Sequence, residues 1–159
     1  MSDLSWQTAE ELETPAVRQI SVFLEDRVGA LHRLLQSFEG TEIKILALSI
    51  VHAIDCAIVR LIVDDTDQAT DILRRRDIPI SVTEMVVVEL PAGHGLRSIC
   101  SALLTAEISI DYVYALIVWP TGRPAIAIHT DNLDTAAQVL RGRKCRLMSE
   151  NDLGPGGVR

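Results

Sequence analysis

Two short segments carry the residue types and spacing best suited to chemistry. The first reads Leu24-Glu25-Asp26-Arg27-Val28-Gly29-Ala30-Leu31, and the second reads Leu90-Pro91-Ala92-Gly93-His94-Gly95-Leu96. Each sets a glycine just ahead of a leucine that opens a helical pattern. A glycine at that point lets the backbone turn sharply, and the free N–H groups of a starting helix face a positive dipole end. Such a junction suits a carboxylate or a phosphate. A plain strand-to-helix turn accounts for the same residues, so both readings stand at this level. The chain has no GK[ST] after a glycine loop, which excludes a nucleotide P-loop.

Other side chains read more simply as structure. His129-Thr130-Asp131 offers two metal-ligand types, but a strand end followed by a helix cap explains it. Asp64-Asp65-Thr66-Asp67 lacks the spacing of a calcium loop and reads as N-capping. His32 falls on a solvated helix flank and His52 at a strand end. Cys100-Ser101 has no base beside it in sequence. The basic run Arg141, Arg143, Lys144, Arg146 suits a helix C-terminus and its following strand. Cys56, Cys100 and Cys145 are an odd number with no CxxC, which predicts reduced, buried small hydrophobes in a cytoplasmic protein. No metal and no cofactor is expected.

The elements that must position the two loops come from an internal repeat. Residues 29–45 align with 95–110, so that Leu31 matches Leu96, Leu34 matches Ile99 and Phe38 matches Leu103. Glu42-Ile43-Lys44-Ile45 then matches Glu107-Ile108-Ser109-Ile110. Later, Ala69-Thr70-Asp71-Ile72-Leu73-Arg74 parallels Ala136-Ala137-Gln138-Val139-Leu140-Arg141. Within the first copy the periodicity predicts strand 18–24, helix 29–39, strands 43–52 and 55–63, a helix capped at 64–67 and running through Arg76, and strand 78–84. The second copy predicts strand 85–90, helix 95–106, strands 108–118 and 124–130 around the turn-rich Trp119-Pro120-Thr121-Gly122-Arg123, helix 132–142 and strand 144–149. The order in each is βαββαβ. The fold class is therefore α+β, two tandem ferredoxin-like βαββαβ sandwiches. The predicted division is a tail at 1–16, domains at 17–84 and 85–153, and a tail at 154–159.

A βαββαβ unit puts both helices on one sheet face and leaves the other bare. Yet Ile45-Leu46-Ala47-Leu48, Ile58-Val59-Arg60-Leu61-Ile62-Val63 and Val86-Val87-Val88 are apolar at consecutive or nearly consecutive positions. A half-solvated antiparallel sheet alternates more cleanly. The bare faces or edges must be covered by the sister copy or by a second chain, and self-association is expected.

Composition narrows the partners. The chain has 159 residues, 48% of them hydrophobic, and a formal net charge of -7. Residues 1–16 hold Asp3, Glu10, Glu11 and Glu13 and no base, so much of that charge belongs to the tail. An acidic balance with only two each of Phe, Trp and Tyr argues against nucleic acid, which needs clustered cations and exposed rings. Apolar runs are short and broken by charge, so no membrane partner and no signal segment is expected.

Tandem units of this size, with Asp26-Arg27-Val28-Gly29-Ala30-Leu31 between the first strand and helix, resemble ACT domains. The family usually shows an acidic residue, then Pro-Gly, then an aliphatic residue. Here Val28 stands where proline is common, and His94-Gly95-Leu96 keeps only the glycine and the leucine. The resemblance covers residues 17–153 and is closest to small stand-alone bacterial proteins made of two ACT domains. It implies a non-catalytic regulatory protein that binds a free amino acid as effector, forms a homodimer and alters its docking to a regulated partner protein. Family ligands sit where the first loop meets the second strand of a neighbouring unit. Carried over, one site joins Glu25, Asp26, Arg27, Val28, Gly29, Ala30 and Leu31 to Asp111, Tyr112, Val113 and Tyr114. The pseudo-symmetric site joins Gly93, His94, Gly95 and Leu96 to Leu48, Ser49 and Ile50. Asp111 falls at the position of Leu46, so the two sites differ chemically, and the one with Asp111 and Tyr114 ranks first. The alternatives are an interaction module whose ligand sites have decayed and a small ferredoxin-like enzyme. An RNA-recognition module would need aromatic central strands, an acylphosphatase a placed asparagine, and a metal carrier a CxxC.

Overall fold

The computed structural model describes residues 14–92 and 95–154. Its elements are β1 (Val17–Glu25), α1 (Ala30–Gln36), β2 (Ile45–His52), β3 (Cys56–Val63), α2 (Thr66–Arg75) and β4 (Ile80–Glu89). They continue with α3 (Gly95–Thr105), β5 (Ile110–Ala115), β6 (Ala125–Thr130), α4 (Leu133–Gly142), β7 (Leu147–Met148) and α5 (Glu150–Leu153). Both copies thus follow the predicted βαββαβ order. Local chemistry explains the boundaries. Asp65 caps α2 by accepting from the Gln68 N–H, and Asn132 caps α4 by accepting from the Thr135 N–H. The helix expected over 29–39 is shorter, because after Gln36 the chain tightens into successive i→i+3 bonds, Phe38 to Leu35 and Glu39 to Gln36. Phe38 still reaches the core.

Helices α2, α3 and α4 end alike. Asp77, Glu107 and Lys144 take left-handed backbone angles, with φ of 56°, 55° and 59°. The next residue in each case, Ile78, Ile108 or Cys145, donates its N–H back to a carbonyl five residues earlier. This repeated ending turns the chain back to the sheet, and it is the structural face of the sequence repeat.

Among the described residues one antiparallel sheet of seven strands runs through both repeats in the order β2-β3-β1-β4-β6-β5, with β7 also paired to β4. The two strands expected at 78–84 and 85–90 are a single strand. The first half of β4 pairs with β1, from Ile80 opposite Val22 to Met85 opposite Val17. The second half pairs with β6 and β7, Val87 opposite both Ala127 and Met148. Nothing between residues 84 and 85 interrupts the β-forming run, so the repeats share a strand. The final strand is also shorter than 144–149, because Ser149 starts helix α5 with a capping box to Asp152.

The sheet curls until its end strands touch. Ala47 of β2 bridges Leu116, just past β5, and the Ile117 N–H donates to the Leu46 carbonyl at 2.7 Å. Three cores result. Leu34, Leu61 and Leu73 fill the space under α1 and α2; Ile99, Ile128 and Leu140 do the same under α3 and α4. The third core lies inside the curl, where Leu46, Ala47, Ile62, Val87, Leu116 and Leu153 meet. This accounts for the consecutive apolar residues: Val86 and Val88 face the second helix layer, whereas Val87 faces the interior. The bare faces are covered by the sister repeat.

The three cysteines are free, but only Cys145 is buried; Cys56 is half-buried, and Cys100 lies exposed on the solvent side of α3. Burial pushes the Cys145 thiol up, against a smaller opposing pull from Arg143.

Candidate functional site

The first loop folds as the glycine demanded. Gly29 stands at the head of α1 with φ of 81°, a conformation L side chains rarely adopt. The Arg27 N–H donates to the Glu25 carbonyl at 2.8 Å and the Ala30 N–H to the Arg27 carbonyl at 3.1 Å. A cavity of about 210 Å³ lies between this loop and the adjoining strands. Leu24, Leu31, Ile50 and Val59 make its apolar lining, and Asp26 and His52 its polar rim, with His52 Nδ1 3.6 Å from Asp26 Oδ1. The charge of Arg27 is taken up by Glu25, Nε to Oε2 at 2.8 Å. A pocket with one apolar wall and few polar groups suits a small amphipathic molecule.

A second group of polar residues sits on the concave face of the curl. Gln19 is fully buried, and its Nε2 donates to Ser21 Oγ at 3.2 Å and to Tyr112 Oη at 2.9 Å. Its Oε1 accepts from Tyr114 Oη at 2.7 Å. Burial pushes the Tyr114 phenol well above its ordinary value, with Tyr112 adding to the shift and Arg60 opposing it. The Arg60 guanidinium lies 3.8 Å above the Tyr112 ring, and the His129 ring stacks on Tyr112 at 4.9 Å. Asp111 Oδ2 holds His129 Nδ1 at 2.8 Å.

The equivalence of Asp111 with Leu46 takes a definite form. Each occupies an extra position in its strand, where the pairing register shifts between Ile110 and Tyr112 in β5 and between Ile45 and Ala47 in β2. In the first repeat the bulge delivers Leu46 to the interior; in the second it delivers a carboxylate to His129.

Of the residues expected to form one site, Glu25, Asp26, Arg27, Gly29, Ala30 and Leu31 line the loop cavity together. Val28, in the same loop, is fully exposed. Within one chain the strands that close this cavity are β2, through Ile50 and His52, and β3, through Ala57 and Val59, and Asp111, Tyr112, Val113 and Tyr114 are not among its lining. Tyr112 and Tyr114 join Gln19 instead. For the pseudo-symmetric site, Gly93 and His94 lie outside the described residues. Gly95 has φ of 54° at the start of α3, matching Gly29, and Leu96 is half-exposed. Leu48 packs under the first helix layer, Ser49 lies opposite Arg60, and Ile50 belongs to the loop cavity. Sequence reasoning passed over His52, Gln19 and Arg60. His52 read as a strand end, and Gln19 and Arg60 read as ordinary strand positions, although a charge inside an apolar run such as Ile58-Val59-Arg60-Leu61-Ile62 is itself a signal.

Among the described residues no group of three or more His, Cys, Asp or Glu side chains is arranged to hold a metal ion, and no helix is long and apolar enough to cross a membrane. Among solved structures, a protein from Bacteroides thetaiotaomicron is similar over 89% of this chain and 97% of its own, with 26% identity and a TM-score of 0.79. The regulatory subunit of aspartate kinase from Thermus thermophilus shares the fold over 80% of this chain and 92% of its own, with 13% identity and a TM-score of 0.56. The corresponding subunit from Thermus flavus does so over the same shares, with 12% identity and a TM-score of 0.52. No curated protein matches the chain. The family described as ACT domain pair matches residues 15–155. ACT-domain proteins are typically non-catalytic regulatory modules that often bind amino acids. With its paired βαββαβ repeats and that match, the chain belongs to the ACT domain pair family.

Proposed function

We propose that this protein is an amino-acid-responsive regulator whose effector occupies the cavity beside the Glu25–Leu31 loop. The observation that carries the reading is the cavity itself, in a chain of this family. At about 210 Å³ it is smaller than the roughly 300–1,000 Å³ of drug-sized pockets, and it offers Asp26 to an ammonium beside an apolar wall for a side chain. Val28 and Ile54, in the two adjoining turns, are almost fully exposed, and Ile50 and Val51 on the β2 edge are partly so. Large apolar side chains grouped this way favour cover by another protein surface. In our reading a second copy supplies it and brings its own Asp111–Tyr114 strand to the loop, completing the site in a homodimer. Ligand in that cleft would stabilise one arrangement of the dimer and shift docking to a regulated partner. Free thiols at all three cysteines accord with a cytoplasmic setting.

A thermal-shift screen against the twenty amino acids tests this, since a ligand that binds only the folded state raises stability by mass action. We expect a concentration-dependent rise for at least one amino acid, lost in Asp26→Asn, with light scattering reporting a dimer. The same exposed residues favour a second reading, a protein-interaction module without a working ligand site. A flat screen with an intact dimer would select that reading.

A further inference from the structure

The concave face of the sheet carries a row of hydrogen-bond donors with no acceptor among the described residues. Ser49, Arg60, Ser21 and Ser81 are successive cross-strand partners on β2, β3, β1 and β4. Directly opposed residues point to one face, so the four side chains stand side by side. Arg60 is half-buried and rests on the Tyr112 ring, and among the described residues no group accepts a hydrogen bond or pairs a charge with its guanidinium. Gln19 sets the neighbouring hydroxyls. Because its Nε2 donates to both Ser21 Oγ and Tyr112 Oη, each of those oxygens is used as an acceptor and keeps its own proton to give. Neither proton has a recipient among the described residues.

Guanidinium N–H, serine O–H and phenol O–H, drawn from both repeats, therefore meet on one surface with one positive charge. A guanidinium partly withdrawn from water and given no acceptor is unfavourable, and an anion relieves it. We propose that this row is a binding site for a small carboxylate, separate from the loop cavity. A carboxylate matches the single charge and accepts two parallel N–H bonds from one guanidinium, leaving lone pairs for Ser21 and Tyr112. A doubly charged oxyanion would remain under-neutralised, with Asp111 close behind Tyr112 through His129. Leu116 against Ala47 closes one end of the curl, and the face opens at the other, where Phe23, Val51 and Ser81 reach solvent. A ligand held by Arg60 of the first repeat and Tyr112 of the second would tie the repeats together across the interior.

Titration of the full chain with acetate, propionate and sulfate at low ionic strength, followed by the NMR resonance of Arg60 Nε–Hε, tests the site. We expect a saturable shift with acetate or propionate. Calorimetry should show affinity reduced about tenfold or more in Arg60→Gln and about three- to tenfold in Ser21→Ala and Tyr112→Phe. Arg123→Gln, in the exposed β5–β6 loop, should bind like the wild type. Should Arg60→Gln fail to fold, Arg60→Lys keeps the charge and removes the fork, and its affinity must fall. Absence of a saturable shift with every anion, or unchanged affinity in a folded Arg60 variant, would overturn the site. Sulfate binding as tightly as the carboxylates would overturn the ligand class.

Discussion

Arg18 on the first strand grips Glu150 on the last helix with a two-pronged contact, Nε to Oε1 at 2.7 Å and Nη2 to Oε2 at 3.0 Å. The Arg18 backbone N–H adds a third bond to Oε1 at 2.9 Å, while Nη1 reaches Asp67 Oδ1 at 2.7 Å. The pair fastens α5 across the end of the curl, where Leu153 enters the interior core. Glu150→Gln keeps the shape and weakens the grip. A partly exposed but bidentate pair supports a loss of about 1 kcal/mol, seen as a melting temperature lower by roughly 2–4 °C. An unchanged melting temperature would show the clasp to be ornamental.

The same clasp makes stability depend on acid. Burial alone would push the Glu150 carboxyl up, but the hydrogen bonds from Arg18 outweigh it and hold the group below its ordinary value. The Arg18 hydrogen bond lowers Asp67 likewise. Both carboxylates ionise more readily folded than unfolded, so their contribution is fully present above the unfolded values of about 4 and is lost as pH falls through the folded ones. Urea unfolding of wild type and Glu150→Gln from pH 7 to 3 should give curves that converge as acid is added. A gap that stays constant would rule out the linkage.

Gln19 is fully buried and holds three side-chain hydrogen bonds. Gln19→Leu fills similar space but leaves the Tyr114 hydroxyl without its acceptor and removes the donor to Tyr112 and Ser21. Orphaned polar groups of this kind lower stability by about 1–3 kcal/mol each, less where water reaches them. We expect a total loss of about 2–3 kcal/mol by denaturant unfolding, and a Gln19→Leu, Tyr114→Phe double variant less impaired than the sum of the singles.

Thr130 presents the opposite case. Its buried Oγ1 has no hydrogen-bond partner among the described residues, at the end of β6. Thr130→Val has nearly the same shape and removes the unpaired hydroxyl, so the variant should be more stable by about 1 kcal/mol. A loss of stability in the same unfolding assay would mean that water satisfies the hydroxyl in solution.

Much of each repeat was legible from local pattern. Leu34 and Ile99, aligned on spacing alone, are both buried under their helices, and Gly29 and Gly95 both take positive φ. Asp65 within its acidic run caps α2, as expected. These features depend on residues a few positions apart, where backbone sterics and helical periodicity decide the outcome. The shared strand β4 escaped division by repeat, because pairing partners on either side, rather than any break in the chain, distinguish its two halves. Helix α5 escaped as well, its capping box being hidden in what read as the end of a strand.

The candidate site divides along the same line. That the Glu25–Leu31 loop would turn sharply into a helix followed from its glycine, and the loop does line a cavity. Which strands close that cavity within one chain depended on tertiary structure, and so did the meeting of Gln19 and Arg60 with Tyr112, residues far apart in sequence. By itself the sequence determined two βαββαβ repeats, the helix-facing side of the strands in each and a second apolar face needing cover. Only the closure of Leu116 onto Ala47 decided that the sister repeat provides the cover, and that a row of donors shares the enclosed face with the core. Periodicity records which residues leave water, but the partner they leave it for is set by how a twisted sheet curls, a property of all its strands together.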